Sequence, residues 1–74
     1  MAITVTLNGQ PREFTLVEPT IAALVSELGL QADRVALERN GSIVPRTLWA
    51  GVSVADGDRI ELVHFVGGGA PVSL

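Results

Sequence analysis

Residues 59–66, RIELVHFV, are apolar on both parities, with Ile60, Leu62 and Val66 on one and Val63 and Phe65 on the other. A strand patterned in this way lies at the centre of a sheet, or has one face covered by a helix and the other offered to a partner. Either arrangement requires flanking strands and a covering helix elsewhere in the chain.

Residues 2–7, AITVTL, supply the first of these, because Ile3, Val5 and Leu7 alternate with Thr4 and Thr6 at the period of a strand with one face toward a core. Asn8-Gly9 favours a tight hairpin turn. Pro11 is expected to end that loop before Phe14 and Leu16, alternating with Glu13 and Thr15, form the second strand. In EPTIAALVSELGL, Thr20 is placed to cap a helix, Ile21, Leu24, Val25 and Leu28 form one apolar stripe, and Gly29 suits the left-handed position after its end. So short a helix is held only by packing across the sheet. VALER at 35–39 and Ser42-Ile43-Val44 read as two short strands joined by Asn40-Gly41, Pro45 stops the pairing, and a turn or single helical turn falls around Trp49. Asp56-Gly57-Asp58 lacks the ligand spacing of a calcium loop and reads as a turn into the last strand.

The 74 residues, 47% hydrophobic and 18% charged, suffice for one domain with one core. A net charge of −3, with Arg12, Arg34, Arg39, Arg46 and Arg59 widely spaced and no lysine, excludes a nucleic-acid binder, which needs clustered cations against phosphate. Without cysteine and with His64 alone there is no thiolate metal site, and no metal is expected. No apolar run approaches the roughly 20 residues that span a bilayer, and the start lacks a signal-peptide pattern, so a cytoplasmic location without a membrane partner is expected. Catalytic residues are not expected either: Ser26 and Ser42 have no base at a recognisable spacing, and the GGG run at 67–69 precedes no helix that would make it a phosphate cradle.

The order ββαβββ, with the last strand parallel to the first, resembles the β-grasp architecture of ubiquitin-like proteins, an α+β fold with one helix packed across a mixed four- to five-stranded sheet. The domain is expected over residues 1–66, followed by a flexible glycine-rich tail at 67–74. Within that frame DGDRIELVHFVGGG, IVPRTLWA with its Pro45-Arg46 and Trp49, and the opening strand, hairpin and helix together resemble the bacterial thiazole-biosynthesis sulfur carriers, the ThiS family, over residues 1–69.

That resemblance implies a protein co-substrate rather than an enzyme. In such carriers an E1-like, ThiF-type adenylating enzyme uses Mg-ATP to convert the terminal glycine carboxylate to an acyl-adenylate. Sulfur from a donor such as a cysteine desulfurase displaces AMP, and a ThiG-type thiazole synthase takes the sulfur of the resulting thiocarboxylate into thiamin's thiazole ring. The carrier itself binds no cofactor. Carried over to this chain, Gly69 is the modified residue, and Gly67 and Gly68 are the part of the tail that enters the partner's active site. Glycine, lacking Cβ, lets a backbone thread a narrow channel and adopt angles closed to other residues.

Family members end at the diglycine, whereas here Ala70-Pro71-Val72-Ser73-Leu74 follows, so that Gly69 has an amide where the chemistry needs a carboxylate. Trimming by a peptidase is expected, with a fusion boundary or a remnant as alternatives. The small subunit of molybdopterin synthase, a cysteine-type carrier and an interaction module without chemistry are the competing functions. Partner docking is expected on the sheet face opposite the helix, at Val63 and Phe65 with Ile43 and Leu48 nearby.

Overall fold

A computed structural model describes residues 1–65 in full and residues 66 and 70–73 by their backbone. Strands β1 (Ala2–Leu7) and β2 (Gln10–Thr15) form an antiparallel hairpin, helix α1 (Ile21–Glu27) follows, and β3 (Val35–Arg39), β4 (Ser42–Ile43), β5 (Arg59–Val66) and β6 (Ala70–Ser73) complete a mixed sheet. The strands are ordered β2-β1-β5-β3-β4, with β6 also paired to β5. β5 runs parallel to β1 and antiparallel to β3, and is therefore central, one of the two arrangements its doubly apolar pattern allows. This is the expected β-grasp sheet, with the helix across one face, but β6 lies in the segment expected as a tail and adds a sixth strand to the four or five expected.

Both hairpin turns are Asn-Gly pairs in the left-handed region, with φ of 49° and 81° at Asn8-Gly9 and 51° and 87° at Asn40-Gly41. Asn tolerates that region and Gly adopts it without strain, which fixes the two-residue turn and hence the register. Pro11 departs from expectation. It lies inside β2, opposite Thr6. The Thr6 N–H is directed the other way, to the carbonyl of Asp58 at 2.9 Å, so this is a non-hydrogen-bonded pair and the missing proline N–H falls on the outer edge of an edge strand.

The hydroxyl of Thr20 caps α1 by accepting the Ala23 N–H at 3.1 Å, and Gly29 at φ +74° follows the helix end. Ile21, Leu24 and Val25 point from the helix into a core with Ile3, Val5, Leu7, Phe14, Leu37, Ile60 and Leu62. Trp49 seals that core from the side, buried, with its Nε1–H donated to the carbonyl of Val44 at 2.8 Å. A 3-10 turn over Arg46–Leu48 delivers it, in the segment where a turn was expected, while a second 3-10 turn at Ala32–Arg34 had no counterpart in the sequence pattern.

Asp58 is more than a turn residue. It is the buried charged residue of the described chain, at 8% exposure, and its carboxylate accepts from Arg39 Nε at 2.8 Å, Asn40 Nδ2 at 3.1 Å and the Ala55 N–H at 2.8 Å. Burial pushes its pKa up, but the Ala55 N–H, the Asn40 amide and the Arg39 guanidinium together outweigh burial and hold it below the ordinary aspartate value. A depressed pKa contributes stability that is fully present above the unfolded-state value of about 3.9 and is lost as pH falls through the folded value. Asp58→Asn is expected to cost about 1–3 kcal/mol at neutral pH, since it leaves the guanidinium without its counter-charge. Urea unfolding at neutral pH and near pH 3 checks this: the gap between wild type and variant narrows at the acid end.

Candidate docking face

The alternation of β5 and its neighbours divides the sheet into two faces. Ile60 and Leu62 face the helix and are buried, as is Leu37 of β3, whereas Glu61, Val63 and Phe65 face away. On that open face β5 and β3 stand in register, with Ala36 opposite Val63 and Glu38 opposite Glu61. Ile43, on β4, is 77% exposed beside them. Asn8, Ala36, Leu37, Glu38, Ile43, Glu61, Leu62 and Val63 line a shallow groove of about 470 Å³.

Val63 and Ile43, expected at a docking face, are thus brought together. Phe65 is half-buried on the same face of β5, beyond the groove. Leu48 stands elsewhere: it is 53% exposed, but it precedes Trp49, whose carbonyl accepts the Ala22 N–H at 3.2 Å, and so belongs with the start of the helix. Gly67, Gly68 and Gly69 lie outside the described residues. Glu38 and Glu61 were not singled out from the sequence. The alternation of VALER and RIELV puts both outward, but only the register sets them side by side, where two like charges oppose each other. An apolar strip flanked by paired carboxylates suits a surface that brings cations.

The described residues hold no group of three or more His, Cys, Asp or Glu arranged to bind a metal ion, and no helix long and apolar enough to cross a membrane. The chain matches the family model described as the ThiS family over residues 5–69, from β1 through the glycine run. The chain belongs to the ThiS family.

A solved relative bears out the fold. A solved ThiS thiamine biosynthesis protein from Geobacter metallireducens superposes with a TM-score of 0.75 at 35% identity, covering 90% of this chain and all of that one. The sulfur carrier protein ThiS of Bacillus subtilis is 38% identical over 63 residues, or 85% of this chain and 96% of its own length. A thiazole synthase of Paramagnetospirillum magneticum is 47% identical over 64 residues, covering 86% of this chain. This ThiS-family chain spans only 19% of that synthase's length.

Proposed function

We propose that the chain is a sulfur carrier for thiazole synthesis, a protein co-substrate whose Gly69 carboxylate is adenylated and then converted to a thiocarboxylate. The observation that carries this reading is a family match that extends to Gly69, the residue whose carboxylate the chemistry uses. The adenylating enzyme supplies the Mg-ATP site. The carrier contributes a rigid sheet, whose central strand leads directly into Gly67–Gly69, and a peptide end thin enough to enter another protein's active site. A stretch 47% identical to this chain within a protein named thiazole synthase supports such a synthase as the recipient of the sulfur.

Because Ala70 follows Gly69, the carboxylate has to be released first, by cleavage of the Gly69–Ala70 bond. Deletion of the coding sequence tests the reading in the cell. Growth restored by the thiazole moiety supports it; growth restored only by molybdopterin or by cysteine transfers the chain to one of the other sulfur pathways.

The open face is the proposed platform for the adenylating enzyme, with a basic rim on the partner meeting Glu38 and Glu61. Ile43→Asp, at an exposed position, is expected to leave folding stability within about 0.5 kcal/mol. Its affinity for that enzyme is expected to fall by about tenfold or more, as removal of a central apolar contact does. Calorimetric titration of the two purified proteins measures it, and unchanged affinity places the platform elsewhere.

A further inference from the structure

β5 outruns its parallel neighbour. β1 pairs with it only at Thr6–Arg59 and Leu7–Ile60. Asn8 then extends the ladder by other means: its N–H is donated to the carbonyl of Ile60 at 2.9 Å, its Oδ1 accepts the Leu62 N–H at 2.7 Å and its Nδ2 is donated to the Leu62 carbonyl at 2.9 Å. Beyond Leu62 neither β1 nor β2 covers this side of β5. Strand geometry continues the alternation, so the N–H and C=O groups of His64 and Val66 point the same way as those of Leu62. An uncovered edge of this kind is a template for another strand.

Here β6 takes that place, with Ala70 opposite Val66, Pro71 opposite Phe65, Val72 opposite His64 and Ser73 opposite Val63. The alternation makes Ala70 and Val72 the hydrogen-bonding positions and puts Pro71 at a non-bonding one, so the proline costs the pairing nothing. On the new outer edge it withholds an N–H, which discourages addition of a further strand.

We propose that the His64–Val66 edge of β5 is a strand-accepting site for an extended polypeptide segment, and that residues 70–73 occupy it as a built-in plug, terminated by Pro71. The proposal rests on backbone geometry and stands or falls apart from the carrier reading. If both hold, one cleavage after Gly69 frees the carboxylate and also severs the plug from the strand it masks.

Amide hydrogen exchange followed residue by residue tests it on the full-length chain. Val72→Pro removes the backbone donor opposite His64, and is expected to speed exchange at His64 and Val66 at least tenfold. Leu62, held by Asn8, keeps its protection, which shows that the variant is folded. Pro71→Val, at the non-bonding position, is expected to leave His64 and Val66 protected. Excess synthetic peptide of sequence Ala-Pro-Val-Ser-Leu is expected to restore protection in the Val72→Pro chain. Equal exchange in wild type and Val72→Pro overturns the plug, and failure of the peptide to protect the vacated edge overturns the strand-accepting site.

Discussion

A protein ending at Gly69 is expected to support ATP–pyrophosphate exchange with its cognate adenylating enzyme, while the chain in which Ala70 follows Gly69 gives none. The effect is all or nothing because it is chemical. A carboxylate oxygen can attack the α-phosphorus of ATP, expelling pyrophosphate and forming an acyl-adenylate, whereas the amide joining Gly69 to Ala70 has neither a free anionic oxygen nor a comparable nucleophilicity. With a sulfur donor added, the shortened protein should gain the mass difference of one sulfur replacing one oxygen, located by fragmentation at Gly69. Exchange with both forms would mean that a free Gly69 carboxylate is not what reacts. Exchange with neither, across the plausible adenylating enzymes, would leave the chain an interaction module.

Ile60→Ala is expected to leave the protein largely unfolded at room temperature. Ile60 is fully buried on the central strand, opposite Leu7 on one side and Arg39 on the other, with its carbonyl bonded to the Asn8 N–H. Truncating a buried isoleucine costs about 2–5 kcal/mol, the transfer of its methyl groups plus the cavity left between sheet and helix. A domain of this length has a net stability of only about 3–5 kcal/mol from its core, so the loss is comparable to the whole. Val17→Ala, at a residue 99% exposed, is the control and is expected to shift stability by less than about 0.5 kcal/mol. Urea titration separates the two, and an Ile60→Ala midpoint close to wild type would mean that the core is not centred on this strand.

Much of this architecture is legible in the sequence because its signals are local. The Asn-Gly pairs fix the two hairpins, the stripe of Ile21, Leu24 and Val25 fixes the buried side of the helix, and the doubly apolar 59–66 run identifies the central strand. What stayed hidden depends on contacts between distant segments. Asp58 has the pattern of an ordinary turn residue until Arg39, Asn40 and Ala55 are brought around it. Pro11 suggests a loop until its N is seen to face the outer edge of an edge strand. The carboxylates of Glu38 and Glu61 become a pair only through the β3–β5 register. Parity alone could not say which apolar set of β5 was core, and the helix decides it in favour of Ile60 and Leu62. For the end proposed to be modified, neither composition nor periodicity distinguishes a reactive glycine from slack, and the family match is what supports the proposal.

The two turn asparagines tie this small protein's lifetime to its geometry. Each sits before a glycine, the pairing in which an asparagine amide is most prone to cyclise and lose ammonia, and each directs its side chain onto the central strand, Asn8 to Leu62 and Asn40 to Asp58 and Arg59. Conversion to aspartate would replace a donor by an anion facing a carbonyl at the first turn and a buried carboxylate at the second. Ageing would therefore strike where the sheet is stitched together, and the pace of that chemical clock is set by how firmly those two amides are held.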